Sequence, residues 1–383
     1  MDPAVLMAEA EREAGSSDFG DATVRDRVET LCQRINAAGL DARGISHARD
    51  VFLWLLTDRL RLFADHKRLQ LGEISIEAPL IVTGEARCGT TFAQMLFGQD
   101  PNARLLEFWE AMHPSPPPSL AGPDDPRRAQ ADADWREILD QVPAWLISHP
   151  YNDMLGRNPP ECERLWQIDF RGTTPTAWWR VPLQPFAATL QDPEAQYRLH
   201  KMMLQQFQYG GPDRHWVLKG LQHHHRLETV LATYPDADVV WIHRDPVQAL
   251  ASRVQLLAQI FEGIAGPIDR AAFAQQTLAY GRDVFARLAK APMADDPRVH
   301  HVDYRAFVSD PIGQVRRVYE KSGRAFTDAF RTAMESWMPE NRSDRYGKFR
   351  YPLDIFGVPI EQLHEEFRPY RERYGIAIEA PKH

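Results

Sequence analysis

Between Gly84 and Thr91 the chain reads Gly-Glu-Ala-Arg-Cys-Gly-Thr-Thr, with its two glycines spaced as in a loop that cradles phosphate. Such a loop aims successive backbone N–H groups, and the positive end of the helix that follows, at an anion. Glycine permits both the tight turn and the close approach of backbone to ligand. A loop that serves ATP hydrolysis carries lysine after its second glycine, whereas here Thr90 holds that position and a cation, Arg87, lies inside the loop. The residues therefore point to phosphate binding and away from a Walker-type ATPase. A second candidate follows Ile242-His243-Arg244-Asp245-Pro246, with Ser252 two helical turns further on. Arginine offers a planar donor fork that fits phosphate oxygens, and serine adds a neutral donor. A third, Arg345-Tyr346-Gly347-Lys348-Phe349-Arg350-Tyr351, gathers cations and aromatic rings around one glycine.

The elements that must position these residues are apolar runs. Ala78-Pro79-Leu80-Ile81-Val82-Thr83 predicts a buried parallel strand before the loop, and a helix is expected from about Thr90 to Gly98. Trp216-Val217-Leu218-Lys219 and Asp238 to His243 predict two further strands, each followed by a helical stretch, and Arg298 to Val302 a fourth. Alternating strand and helix implies a parallel α/β sheet. Pro114 to Pro126 is dense in proline and reads as an irregular loop, with helix returning around Asp132 to Leu139. Residues 1–77 show helical periodicity and are expected as an N-terminal helical segment packed on a main domain of residues 78–383. Pro311 to Tyr374 reads as mostly helical apart from the basic, aromatic break.

Composition narrows the class. With 44% hydrophobic and 26% charged residues the chain of 383 can bury a sizeable core. A net charge of −8 gives no drive toward nucleic acid or an anionic membrane, so an anionic ligand needs a local basic site. Three widely spaced cysteines (Cys32, Cys88, Cys162) support neither a disulfide framework nor a zinc site and suit a reducing cytoplasm. The opening residues lack the basic start and apolar core of a signal peptide. No apolar run approaches the roughly 20 residues of a membrane span, and Val51 to Leu62 reads as an amphipathic helix. A cytoplasmic location is expected.

At Arg87-Cys88-Gly89-Thr90-Thr91 the sequence resembles the sulfotransferases that use 3′-phosphoadenosine 5′-phosphosulfate (PAPS), whose 5′-phosphosulfate loop reads basic residue, any residue, Gly, Thr, Thr. The likeness runs from about Pro79 to Ile376 and implies a P-loop α/β fold with a parallel sheet of four or five strands. By that resemblance Arg87, Thr90, Thr91 and the loop amides hold the 5′-phosphate and the sulfuryl oxygens. Arg244 and Ser252 bind the 3′-phosphate, and the stretch holding Arg345, Gly347 and Lys348 closes over it and the adenine. The order of residues in that stretch is closer to bacterial and lipid-modifying relatives than to the cytosolic enzymes, which leaves open which of Arg345, Lys348 and Arg350 touches phosphate.

Sulfuryl transfer is an in-line displacement that needs a base for the acceptor and positive charge where the bridging oxygen leaves. Positioning and electrostatics dominate such reactions. By the resemblance Lys219 stabilises the leaving oxygen and a glutamate after the first helix is the base: Glu110 first, Glu107 one turn earlier as its rival, with His113 and His223 as the alternatives offered by the cytosolic branch. His223-His224-His225 could suggest a metal, but consecutive helical residues point about 100° apart and are not expected to chelate together, so no metal is expected. Phe170, Trp178 and Trp179 are candidate walls of an apolar acceptor pocket. The expected acceptor is a small molecule bearing a hydroxyl or, less readily, an amine, and PAP, adenosine 3′,5′-bisphosphate, is the expected product. The competing readings are a P-loop kinase or ATPase using Mg·ATP and a non-catalytic nucleotide-binding protein.

Overall fold

The computed structural model of the chain describes residues 1–122, 124–171 and 192–380. Its contacts divide into two compact units: Met1–Ile76, Glu107–Asp132 and Pro160–Asp213 form one, and Glu77–Leu106, Ala133–Pro159 and Arg214–His383 the other. The first unit thus takes in two later segments besides the N-terminal helices.

That unit is helical. Helix α1 (Pro3–Ala14) begins where the Asp2 carboxylate accepts from the Ala4 and Val5 amides and ends at Gly15 in the left-handed region. Helices α2 (Val24–Ala37) and α3 (Ala42–Leu69) follow. The sequence predicts an amphipathic helix around residues 51–62, yet Asp58 and Arg59 are both buried on α3. The cause is pairing. Trp54 Nε1 donates to Asp58 at 2.7 Å, and Arg59 donates to the Phe19 carbonyl at 2.7 Å and to Asp169 at 3.1 Å. Arg27 and Arg171 reach the same Asp169, so buried charge is offset inside the unit. Helix Pro193–Gln208 is anchored by Gln205, which donates to the Gly72 and Ile74 carbonyls.

The second unit is built on a five-stranded parallel sheet of order β2-β3-β1-β4-β5. Its strands are β1 (Leu80–Thr83), β2 (Ala103–Leu105), β3 (His215–Gly220), β4 (Asp238–His243) and β5 (Val299–Asp303). Four match the predicted apolar runs. The fifth, β2, is a three-residue edge strand too short to carry a period of its own. The predicted helix after the loop is α4 (Thr90–Phe97). On the core face Leu80, Val82, Val217, Val240, Ile242 and Val302 pack with Ala93, Leu96 and Phe97 of α4. β1 sits centrally, with Thr83 opposite Gly220 on one side and Trp241 on the other. The loops that leave the carboxyl ends of β1, β3 and β4 are therefore neighbours, which is where open parallel sheets bind ligands.

Candidate active site

The loop after β1 has the geometry its glycines foreshadow. Gly84 stands at φ 147°, and a Cβ there would lie 2.4 Å from the Ile242 carbonyl oxygen of β4. Gly89, at φ 84°, opens α4. Arg87 is not glycine, yet it also takes a left-handed φ of 73°, a conformation that costs a side-chain-bearing residue about 1–3 kcal/mol and persists only when its surroundings over-determine it. They do. Arg87 Nε donates to Ser252 Oγ at 2.9 Å, and Nη1 reaches the Ser148 carbonyl and His149 Nε2, each at 3.2 Å. Its guanidinium lies 4.9 Å from the Phe349 ring centroid, and its carbonyl accepts from Arg244 Nη1 at 2.7 Å.

Within the sheet unit most of the predicted residues therefore meet. Arg87 touches Ser252, Arg244 touches Arg87, and Lys219, buried on β3, donates from Nζ to Thr91 Oγ1 at 3.2 Å. Thr90 and Cys88 are buried in the loop, and burial raises the Cys88 thiol above its ordinary range, which leaves it a packing group. Burial first, then the charge of Arg244, pushes Arg87 down to about 10, so the guanidinium stays charged at neutral pH. Burial and the cations Arg87 and Lys219 hold His149 well below the ordinary histidine value. The site thus has a surplus of positive charge next to a neutral imidazole, as an anion-binding site requires.

The basic, aromatic stretch contributes through its rings. Phe349 stacks on Arg87, and Tyr351 Oη accepts from Arg244 Nη2 at 2.9 Å. Arg345 is turned to Asp153, at 2.7 Å, and to the Pro150 carbonyl; Gly347 is at φ 121°, and Lys348 and Arg350 are exposed. His223 is buried in the short turn His223–His225 that follows β3. Contrary to the expectation that consecutive histidines diverge, His224 Nε2 and His225 Nε2 both face Glu85 Oε1, at 3.2 and 2.9 Å. The two residues lie in a 3-10 turn with their ring centroids 4.0 Å apart. Burial works to raise the Glu85 carboxyl, but the hydrogen bonds from His224 and His225 outweigh it and hold the carboxyl below the ordinary carboxylate range. Tyr280 and Arg253 join the same carboxylate.

The candidate bases Glu107, Glu110 and His113 belong to the helical unit. Glu107 and Glu110 form a capping box on helix Phe108–Met112, in which Glu110 Oε2 accepts from the Glu107 amide at 2.9 Å. Glu110 is buried. Glu107 also pairs with Arg128 at 3.3 Å, and His113 Nδ1 lies 3.5 Å from Asp58 Oδ2. Phe170 is buried with its ring 5.4 Å from that of Phe52, a core contact. Trp178 and Trp179 lie outside the described residues.

The sequence pattern of the sulfotransferase family matches residues 79–328, a span that holds the loop, Lys219, Arg244 and Ser252. The chain belongs to the sulfotransferase family. This sulfotransferase is similar over nearly its whole length to two solved mycobacterial structures. Sulfotransferase STF9 from Mycobacterium avium is 26% identical with a TM-score of 0.83, covering 98% of this chain and 97% of that one. Sulfotransferase STF1 from Mycobacterium tuberculosis is 28% identical with a TM-score of 0.75, covering 96% and 98%. Among curated proteins it matches the omega-hydroxy-beta-dihydromenaquinone-9 sulfotransferases Stf3 of Mycobacterium bovis and Mycobacterium tuberculosis, each 22% identical over 172 residues. That match covers 43% of this chain and 42% of the relatives' length. The fold is the P-loop type, and membership of the family disfavours the kinase and the non-catalytic readings. Membership implies PAPS as co-substrate.

Sequence reasoning missed His149, Tyr304, Tyr351 and Glu379. Tyr351 lies inside the basic stretch, where the neighbouring cations carry the stronger signal. Tyr304, whose ring centroid is 4.4 Å from the Arg244 guanidinium carbon, and Glu379, which pairs with Arg244, carry no local signal.

Proposed function

We propose that this sulfotransferase moves the sulfuryl group of PAPS to the hydroxyl of a small, apolar acceptor in the cytoplasm, by in-line displacement without a divalent metal. The acceptor oxygen forms its bond to sulfur as the bond from sulfur to the bridging phosphate oxygen breaks, the acceptor proton passes to Glu110, and PAP leaves. The observation that carries this reading is the junction of Arg87, Ser252 and Arg244 at the carboxyl ends of β1 and β4, with Lys219 on Thr91 beside it. Two anion sites fused in this way suit a nucleotide phosphorylated at both 5′ and 3′ positions.

In this reading Arg87, the Cys88 and Gly89 amides, Thr90 and Thr91 hold the 5′-phosphosulfate, and Lys219 meets the charge that develops on the bridging oxygen. Ser252 Oγ accepts from Arg87, which leaves its own proton to point at the 3′-phosphate beside Arg244. Lys348, exposed beside Gly347, is better placed than Arg345 to reach phosphate, because Arg345 is engaged with Asp153. A hydroxyl-bearing, lipid-like acceptor is favoured by the likeness to sulfotransferases named for a hydroxylated menaquinone. No helix among the described residues is long and apolar enough to cross a membrane.

Calorimetry in EDTA tests the class. PAP should bind tightly with no added metal, whereas AMP and ATP should bind weakly. Tight ATP binding that requires Mg²⁺ would move the reading to a kinase.

A further inference from the structure

The Arg244 guanidinium is already held by a carboxylate. Nε donates to Glu379 Oε1 at 2.9 Å and Nη2 to Oε2 at 3.1 Å, a fork-to-fork pairing with the geometry a phosphate would otherwise use. Nη2 also donates to Tyr351 Oη and Nη1 to the Arg87 carbonyl, so these contacts engage four of the five guanidinium hydrogens. Glu379 is itself docked. It is buried, its amide donates to Asp245 Oδ2 at 3.0 Å, and its carbonyl accepts from Gln248 Nε2 at 3.4 Å. Asp245 in turn caps the helix Pro246–Ala265 through the Val247 amide. The segment bearing Glu379 is thus fixed at the very turn that presents Arg244.

A phosphate cannot take the fork while the carboxylate keeps it. Two anions brought within a few ångströms in a buried site also repel. Without a bound anion, however, a buried guanidinium lacking a partner would be costly, and Glu379 removes that cost.

We propose that Glu379 is an internal stand-in for the 3′-phosphate: it neutralises Arg244 in the empty protein and is displaced when the nucleotide binds, so that residues 376–380 compete with the co-substrate. The proposal rests on the reading of Arg244 as the 3′-phosphate ligand. Displacement makes the apparent affinity for PAP weaker than the intrinsic affinity by the fraction of molecules whose fork is open. AMP, which lacks the 3′-phosphate, does not compete with Glu379.

The test is calorimetry with PAP and AMP on the wild type, Glu379→Gln and Arg244→Ala, together with hydrogen exchange on the wild type. Gln keeps the shape and one acceptor but loses the charge. Glu379→Gln should tighten PAP binding by about tenfold or more, the factor expected from removing one charged hydrogen-bonded competitor, and leave AMP unchanged. In the wild type, saturating PAP should speed exchange of the peptide covering 376–380, whose Glu379 amide is bonded to Asp245, and AMP should not. Equal weakening of both nucleotides by Arg244→Ala would overturn the 3′-phosphate reading itself. If Arg244→Ala weakens PAP alone while Glu379→Gln weakens PAP or leaves it unchanged, the reading stands and the stand-in proposal fails, with Glu379 left as a positioning residue. Retained protection of 376–380 under PAP overturns it equally, and needs no variant to fold.

Discussion

Glu110→Gln separates the proposed chemistry of this side chain from its structural work. Glu110 Oε2 accepts from the Glu107 amide, and Glu107 accepts from the amide at position 110, a reciprocal box that closes the start of helix Phe108–Met112. Glutamine keeps an acceptor oxygen at nearly the same place, so the cap survives and stability should change by less than about 0.5 kcal/mol. Alanine removes the acceptor and should cost about 1 kcal/mol, the usual worth of a cap. Both variants remove the proposed base. A general base contributes about 10²–10⁴-fold, equivalent to roughly 3–5 kcal/mol of transition-state stabilisation, so both should lose turnover to that extent. The assay is transfer from radiolabelled PAPS to 2-naphthol and to dodecanol, with PAP affinity and thermal melts measured in parallel. PAP affinity should hold, because the base touches the acceptor and not the nucleotide. Loss should be smaller with the phenol, whose proton leaves near pH 10, than with the alcohol. Near-normal turnover of Glu110→Gln on the alcohol would refute the assignment and pass the role to Glu107, His113 or His223.

Lys219→Met, which keeps the buried stem and removes the charge, should lower kcat by about 10²–10³-fold with PAP affinity changed only a few-fold; equal loss in both would make Lys219 a binding residue. Gly84→Ala should sharply lower the melting temperature, because its Cβ would sit 2.4 Å from the Ile242 carbonyl oxygen on a backbone at φ 147°, and a melt like that of the wild type would contradict the loop geometry. Burial pushes His200 down to about 3, so between about pH 6.5 and 3 the unfolded chain takes up a proton that the folded chain refuses. Stability should then fall on acidification by about 1.4 kcal/mol per pH unit from this group, and a urea-denaturation series should show a shallower slope for His200→Asn than for the wild type.

The glycine loop after β1 was legible because its signal is contiguous: an apolar strand, a glycine, an arginine, a second glycine and two threonines occur within a dozen residues, between a strand and a helix. Arg244 and Ser252 were legible for a similar reason. They lie on one strand-to-helix junction, two helical turns apart, and Arg87 touches both. Where local periodicity stops, the reading failed in particular ways. The three residues of β2 are paired by their neighbour strand rather than by any pattern of their own, and His224 and His225 share Glu85, a carboxylate distant in the chain that no local spacing reveals.

What the sequence by itself determined is four strands of the sheet, the glycine loop and the positions of the cations beside it, since apolar periodicity, glycine geometry and fixed charge act over a few residues. What only the tertiary structure decided is which partners those cations find. Arg87 lies against His149 and Phe349, Arg244 is clasped by Tyr351 and Glu379, and Arg345 is drawn away to Asp153. These contacts join segments far apart in the chain, so no local preference selects them. They form because a buried charge must be paired once the fold has taken its water away.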